Sequence, residues 1–359
     1  MEKEIKNLFV PGRLCLFGEH SDWAGGYRRI DQSIIPGYCI AIGTDQGIYA
    51  SVSSNPDKFI IRSTNIKGEL IGNQELNMNG EELLKSAKEG GFFSYSAGVA
   101  YYILKDHNVK GLTISNTINL PIKRGLSSSA SICVLTARAF STIYDLNLTR
   151  REEMEYAYKG EILTGSECGR MDQVCAYGEI PVFLTFLGDC MEVDELTPKQ
   201  TIYMVIADLM KGKNTRKILA DLNHHFTNKS GSIRDNLRYA LGEGNKEITQ
   251  KAREAIEKGD VEKLGFLMKE AQKLFDRYVA PACPEELTAP LLHNTLNHPS
   301  IQELIWGGKG VGSQGDGCAQ FIAKGQNERN ELMKRLCEIN VQPYELTIKK
   351  RETNIDKKE

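Results

Sequence analysis

The sequence has little that would place the chain on a nucleic acid or in a membrane. Its 359 residues carry 45 Lys and Arg against 47 Asp and Glu, a formal net charge of −2. Proteins that bind nucleic acids usually have a basic surplus instead. No run of about 18 apolar residues occurs, so we expect no transmembrane helix. The start, MEKEIKNLFV, lacks the apolar segment of a secretory signal, so we expect a cytoplasmic protein.

Closely spaced cysteine pairs and the familiar P-loop are also missing. The nine cysteines are scattered along the chain, which favours reduced thiols over a disulfide framework. No G-x-x-x-x-G-K-[ST] segment occurs. Gly310, Gly312 and Gly315 form G-x-G-x-x-G, which leaves a dinucleotide-binding dehydrogenase as a rival. We interpret the preceding SIQELIWGG as helical, whereas that fingerprint follows a strand.

Composition and element order predict a folded α+β protein. Hydrophobic residues make up 41% and charged residues 26%, as in globular domains. Three segments have helical patterns: FFSYSAGVAYYILKDH, residues 128–144 and TRREEMEYAYKGEILTG. In the last of these, Thr149 is the expected N-cap. TIYMVIADL begins a new set of elements as a strand. Because strands and helices do not alternate strictly, we predict α+β architecture with two domains, 1–197 and 198–359.

The segment GLSSSAS, Gly125–Ser131, predicts an anion site. It leads directly into an apolar, helical run. The first N–H groups of a helix lack intrahelical partners and carry partial positive charge, so a loop of small residues lets a phosphate approach them. Serine hydroxyls add donors and can bind Mg²⁺. The alternative, that Ser127–Ser129 only cap a helix, stays open at this level.

Two further segments concentrate polar side chains. The first is PGRLCLFGEHSDWAGGYR, in which carboxylate, guanidinium and imidazole groups stand beside glycines. Each carboxylate can accept hydrogen bonds from several hydroxyls. GEILTGSECGRMDQVCA contains Glu161 and Asp172, of which one could hold a metal while the other faces a nucleophile. Taken alone, the first segment is also compatible with a polar surface turn and the second with two surface acids.

In this order the segments resemble the GHMP kinases, and PGRLCLFGEHSDWAGG and CGRMDQ are most similar to galactokinase-like sugar kinases. GGKGVGSQGDGCAQF resembles the family's C-terminal glycine loop, here 307–317. MKGKNTRKIL resembles an early turn of its second domain and puts Thr215 near the site. The resemblance implies a two-lobed GHMP kinase fold, with an N-terminal lobe like ribosomal protein S5, a ferredoxin-like C-terminal lobe and the active site between them.

The resemblance also implies roles for individual residues. The residues expected to contact nucleotide phosphates are Gly125, Leu126, Ser127, Ser128, Ser129, Ala130, Ser131, Gly310 and Gly312. Those expected to hold Mg²⁺ are Ser129 and Glu161. The catalytic residues are Asp172, which takes or orients the acceptor proton, and Arg13, which keeps that carboxylate ionised. The residues expected to bind sugar hydroxyls are Glu19, His20, Asp22, Gly25 and Gly26.

The predicted activity is therefore Mg²⁺- and ATP-dependent phosphorylation of a sugar, at the anomeric hydroxyl, by a monomer or homodimer. A sensor that binds sugar and ATP without catalysis and a kinase with a non-sugar acceptor such as mevalonate remain alternatives. Some residues depart from the galactokinase pattern. Trp23 stands where a tyrosine is usual, and Gln314 and Asp316 replace small residues. Arg28 and Arg29 could meet an anionic substrate group or lie in a solvated turn.

Overall fold

The protein is described by a computed structural model that covers residues 4–120, 127–166, 168–228 and 230–352. The strands are β1 (Lys6–Phe17), β2 (Gly37–Asn55), β3 (Lys58–Asn65), β4 (Leu70–Asn77), β5 (Gly111–Asn119), β6 (Val182–Leu187), β7 (Cys190–Glu195), β8 (Ile202–Asp208), β9 (Ile305–Gly310), β10 (Cys318–Ala323) and β11 (Gln342–Ile348). The α-helices are α1 (Ser21–Gly26), α2 (Gly80–Glu89), α3 (Ser94–Asp106), α4 (Ser128–Ile143), α5 (Arg150–Leu163), α6 (Thr215–Thr227), α7 (Ser232–Tyr239), α8 (Asn245–Lys258), α9 (Val261–Tyr278), α10 (Pro284–Leu287), α11 (Pro290–Leu296) and α12 (Gln326–Glu338).

Local sequence signals set several of these elements as predicted. Thr149 accepts a hydrogen bond from the Glu152 backbone N–H, and the Glu152 side chain accepts one in return from the Thr149 backbone. This reciprocal capping box satisfies two donors that have no intrahelical partner and starts α5 where the sequence indicates. The expected helices α3 and α4 and the expected strand β8 are also present. The prediction of an α+β fold is confirmed.

The first of two compact units comprises Met1–Arg13 and Gly43–Gly178. Four of its strands lie side by side in the order β4-β3-β5-β2, and of these pairs β3–β5 is parallel and the other two are antiparallel. Helices α3, α4 and α5 pack together beside this sheet. Phe59 of β3 and Phe140 of α4 are fully buried and stack with their ring centroids 6.0 Å apart, so sheet and helices share one core.

The second unit comprises Leu14–Ile42 and Glu179–Glu359. Its antiparallel sheet has the order β11-β8-β10-β9. Numbered along the chain, this is the 4-1-3-2 order of a ferredoxin-like sheet. The predicted ferredoxin-like character of the C-terminal part therefore has a direct counterpart in the strand order. The predicted domain boundary at residues 197–198 stays a prediction.

The segment SIQELIWGG corrects one expectation. Pro299–Leu304 is a 3-10 helix and Ile305–Gly310 is strand β9, so the helical interpretation is wrong from Ile305 onward. A Cβ on Gly307 would overlap the backbone of Gly265 in α9, so glycines in this segment allow α9 to lie directly on the strand. The dehydrogenase rival fails for a different reason, because β9 leads into the antiparallel strand β10 and not into the helix of a dinucleotide fold.

Within the described residues, no helix has both the length and the hydropathy needed to cross a bilayer. All nine cysteines lie in these residues, and none of them forms a disulfide bond there.

Helices α3 and α5 approach each other through a glycine pair, which generates a stability prediction. A Cβ on Gly98 would overlap the carbonyl oxygen of Gly160. We expect Gly98→Ala to lower the free energy of unfolding by about 1–3 kcal/mol, because the two backbones must separate. Gly80→Ala in α2 is the matched control, since its Cβ would meet nothing closer than 3.9 Å. Urea titrations that show equal stability for both variants would contradict this account of the packing.

Candidate active site

In the first unit, Arg13 and Asp172 form an ion pair. Arg13 lies on β1, and Asp172 begins the 3-10 helix Asp172–Tyr177. An Arg13 guanidinium nitrogen, Nη2, donates to Asp172 Oδ1. The Arg13 side chain is 7% exposed and that of Asp172 is 27% exposed. The arginine is thus a fixed, buried counter-charge, while the carboxylate remains open on one side.

Glu161 and Ser129, the two predicted metal ligands, contact each other directly. The Ser129 hydroxyl, in the first turn of α4, donates to Glu161 Oε1 at 2.7 Å. Gln173 Nε2 donates to the other carboxylate oxygen at 2.8 Å. Glu161 is only 2% exposed. Two neutral donors therefore hold this buried carboxyl group at the start of α4.

Burial raises the pKa of Glu161 to about 7, and the negative charge of nearby Asp172 acts in the same direction. The hydrogen bonds from Ser129 and Gln173 lower it and only partly offset these causes. A carboxyl group in this position binds a proton or a cation more readily than one in water. The site is therefore short of one positive charge.

The start of α4 matches the predicted anion site in the part that the structure describes. Ser127 has a left-handed backbone, with φ of 56°, and its side chain does not cap the helix. By helix geometry, the N–H groups of Ser128, Ser129 and Ala130 have no acceptor within α4. Gly125 and Leu126, also predicted to contact phosphate, lie outside the described residues.

Ser131 serves a different purpose from the one the sequence predicts. It is fully buried, and its hydroxyl lies 2.8 Å from the carbonyl oxygen of Pro11 and 3.0 Å from that of Ser127. Its backbone N–H also donates to Ser127. Ser131 therefore fastens the start of α4 to β1, and we do not carry its predicted phosphate contact forward.

In the second unit, Glu19 forms a buried ion pair that the sequence does not predict. Lys309 Nζ, on β9, donates to Glu19 Oε1 and, at 2.9 Å, to the carbonyl oxygen of Gly310. The side chain of Glu19 is 6% exposed and that of Lys309 is 1% exposed. Breaking a buried pair from one side is strongly destabilising. Glu19 thus helps hold β9 in place, and its predicted contact with sugar has only the other oxygen available.

The remaining predicted sugar residues lie in or beside α1. His20 is buried and adopts a left-handed backbone, and Asp22 is half-buried in the first turn. A Cβ on Gly25 would come within 2.6 Å of the Gly37 backbone nitrogen, whereas one on Gly26 would meet nothing within 4 Å. Close packing on β2 therefore explains why position 25 is a glycine.

The glycine loop is held by side chains from several elements. The Gly310 N–H donates to Gln272 Oε1 at 2.7 Å, and its carbonyl group is bound by Lys309. Lys213 Nζ donates to the carbonyl oxygens of Val311 and Gln314, at 3.1 and 2.6 Å. Gly312 has a φ of 62°, which favours glycine. Both polar backbone groups of Gly310 are thus engaged within the protein, so a nucleotide contact there stays a prediction only.

The residues that depart from the family pattern have structural partners. Asp316 accepts from Lys211 Nζ at 2.7 Å and from the Leu292 N–H, in the first turn of α11, at 2.9 Å. An acid in this loop is therefore neutralised. Arg28 donates to the carbonyl oxygens of Ile34 and Gln32. It stabilises its own turn, which argues against a role for Arg28 in binding an anionic substrate group.

Thr215 lies beside the glycine loop, with its hydroxyl 3.3 Å from that of Ser313.

Three residues that the sequence prediction missed help hold these groups. They are Lys213, which fastens the glycine loop, Lys309, which pairs with Glu19, and Gln173, which orients Glu161. A lysine inside the glycine-dense strand GGKG is unusual and is the one signal that could have identified Lys309. Gln173 directly follows the predicted catalytic acid, but its partner lies 12 residues earlier in the chain.

Comparisons with known proteins find relatives in sequence and in structure. The family described as GHMP kinases N terminal domain matches residues 94–179. The chain is 27% identical over 273 residues to the galactokinase of Thermotoga petrophila, covering 74% of this chain and 67% of that protein. Galactokinase of Lactococcus lactis complexed with galactose has a TM-score of 0.71 at 19% identity, covering 98% and 95% of the two chains. Mevalonate kinase of L. major in complex with R-mevalonate has a TM-score of 0.71 at 20% identity, covering 98% of both chains. At these identities the two structures support the fold alone.

The raised pKa of Glu161 generates a prediction about the protein without ligands. The folded-state pKa of about 7 lies above the ordinary glutamate value of 4.5, so the folded state holds this proton more tightly. The Glu161 carboxyl group therefore adds to the free energy of unfolding at low pH, and this contribution is lost as the pH rises toward 7. At each pH the quantity of interest is the melting temperature of Glu161→Gln minus that of the parent protein. We expect this difference to increase by a few degrees between pH 5.5 and pH 8.

The change with pH is the measured quantity, because lost hydrogen bonds shift the variant equally at both pH values. Glu254→Gln, at an exposed position of α8, is the matched control and should follow the parent protein. Parallel melting curves for Glu161→Gln and the parent at both pH values would refute the assignment of a buried, destabilised charge.

Proposed function

We propose that the chain is a GHMP kinase and acts as an ATP-dependent sugar kinase on the anomeric hydroxyl of a galactose-like or related sugar. It is a phosphotransferase with an alcohol group as acceptor. The observation that carries the proposal is the arrangement in the first unit, where Glu161 and Ser129 meet at the start of α4 and Asp172 pairs with Arg13. The N-terminus of α4 supplies the N–H groups for phosphate.

Ser129 and Glu161 fit Mg²⁺ by the chemistry of their donors. A hydroxyl and a carboxylate oxygen are the hard ligands that this ion prefers, and it commonly keeps waters and phosphate oxygens as the rest of its shell. Because these two side chains leave most of that shell to waters and phosphate oxygens, we propose that the ion arrives with the nucleotide. When bound, Mg²⁺ supplies charge neutralisation for the transferred phosphoryl group.

Asp172 is the proposed general base. Its carboxylate would accept the proton of the acceptor hydroxyl, and Arg13, which pairs with it, would orient it. Phosphoryl transfer depends mainly on positioning and electrostatics. This division of work suits a site in which one acid is paired with a guanidinium and the other is reserved for a metal.

His20, Asp22 and the second oxygen of Glu19 are the proposed sugar contacts. A half-buried carboxylate such as Asp22 can accept hydrogen bonds from two hydroxyls. Because the Arg28 guanidinium binds backbone carbonyl groups, we propose a neutral sugar over a uronic acid or a sugar phosphate. Residues Ser127–Ala130 and Gly312 remain the proposed contacts for nucleotide phosphates.

The test is ADP formation from ATP and Mg²⁺ with galactose, its amino and N-acetyl forms, arabinose, fucose, uronic acids and mevalonate. We expect turnover with at least one neutral sugar. Asp172→Asn should then lower kcat by about 10²–10⁴-fold, because proton removal is lost, while the affinity for ATP changes little. The exposed residue Asp189 offers a matched control, and Asp189→Asn should retain full activity.

Three results would count against the proposal. Binding of ATP without turnover on any acceptor would favour the sensor alternative. Turnover on mevalonate alone would identify a different acceptor class. Unchanged kcat in Asp172→Asn would remove this residue from the proton transfer.

A further inference from the structure

The 3-10 helix Asp172–Tyr177, which carries the proposed base, is only six residues long. The hydrogen bonds of a 3-10 helix have poorer geometry than those of an α-helix, so a short one depends on its surroundings for its position. Asp172 itself is paired with Arg13, and the next residue, Gln173, is bound to Glu161. Two further arginines anchor this segment, one near each end.

Arg170 lies two residues before Asp172 and fastens the start of the segment to α5. Its Nη1 atom donates to both carboxylate oxygens of Glu155, and its guanidinium carbon lies 4.2 Å from the centre of the Tyr158 ring. Arg151 pairs with the same carboxylate at 3.5 Å. The side chains of Arg170 and Glu155 are 27% and 29% exposed. A half-buried carboxylate and an aromatic ring of one helix thus hold a single guanidinium.

Arg138, on α4, holds the other end of the segment. Its Nη2 atom donates to the carbonyl oxygen of Ala176 at 2.8 Å and to Glu153 of α5 at 2.6 Å. Glu153 is only 6% exposed, so its charge depends on this partner. Arg150, in the first turn of α5, places its guanidinium carbon 5.7 Å from the centre of the Tyr177 ring. The end of the segment is therefore also fixed with respect to α5.

We propose that Arg170 and Arg138 are positioning residues that fasten the segment carrying Asp172 to α5, the helix that carries Glu161. They would thereby set the position of the proposed base relative to the proposed metal ligand. A planar guanidinium suits this task because it can bind a carboxylate and stack on a ring, whereas the lysine ammonium is a compact point charge. Only the consequence for catalysis rests on the proposed function, through Asp172 as general base.

The first test is hydrogen exchange of the backbone amides in residues 168–173, which involves no substrate. We expect exchange several-fold faster in Arg170→Lys than in the parent protein, because lysine keeps the charge but lacks the planar guanidinium. Glu155→Gln removes the same contact from the side of α5 and should accelerate the same amides. The amides of α3 should exchange at the parent rate in both variants, which separates local loosening from global unfolding.

Arg253→Lys in α8 is the matched control. Arg253 also pairs with a carboxylate, that of Asp194 at 2.9 Å, and lies 5.1 Å from the centre of the Phe183 ring. It belongs to the second unit. We expect Arg253→Lys to leave exchange in residues 168–173 at the parent rate.

The second test is steady-state kinetics with the sugar that the parent protein phosphorylates. We expect Arg170→Lys to lower kcat by about tenfold or more with little change in KM for ATP, because small misplacements of a catalytic group are costly. In the Asp172→Asn background the same substitution should cost little further, since the group that Arg170 positions is then absent. A merely structural role would lower kcat by the same factor in both backgrounds.

The proposal is overturned if Arg170→Lys and Glu155→Gln leave exchange in residues 168–173 unchanged, or if they accelerate the amides of α3 equally. It is also overturned if Arg170→Lys lowers kcat equally with and without Asp172. Should Arg170→Lys fail to fold, Glu155→Gln decides the exchange test. Absence of turnover in the parent protein counts against the proposed function alone, and exchange then decides whether the arginines hold the segment.

Discussion

Two nearby acids in the first unit, Asp172 and Glu161, have partners of different charge, and the chemistry of the site depends on this imbalance. Arg13 pairs with Asp172, whereas the donors to Glu161 within the described residues are neutral, Ser129 and Gln173 among them. The raised pKa of Glu161 expresses the missing positive charge. A divalent ion brought by a nucleotide would supply that charge, so the same imbalance that weakens the protein alone favours its complex with metal and nucleotide. Catalytic sites commonly retain such unfavourable electrostatics.

In the second unit, lysine side chains hold a glycine-rich loop in one conformation. Lys309 pairs with Glu19 and binds the Gly310 carbonyl group, and Lys213 binds two further carbonyl groups of the loop. Ammonium groups suit this task because each can donate three hydrogen bonds to acceptors. Glycine is needed where φ is positive, as at Gly312, but its freedom would leave the loop unordered without such donors.

How far the sequence predicts this molecule depends on the range of each interaction. The capping box of Thr149 and Glu152 is local, so the start of α5 could be read directly. The pairing of Ser129 with Glu161 spans 32 residues and became predictable only through the resemblance to a family. The pairing of Lys309 with Glu19 spans 290 residues and had no such guide. Strand β9 was mistaken for a helix because its sequence shows no alternation, and the close approach of α9 that selects glycine there is a tertiary effect.

The role proposed for Glu161 is to bind a divalent ion that arrives with the nucleotide. Calorimetric titration of ADP, with and without Mg²⁺, into the parent protein and Glu161→Gln tests it most directly. The account predicts that Mg²⁺ tightens nucleotide binding to the parent protein by at least about tenfold, or about 1.4 kcal/mol, and has little effect on the variant. An equal effect of Mg²⁺ on both proteins would contradict it.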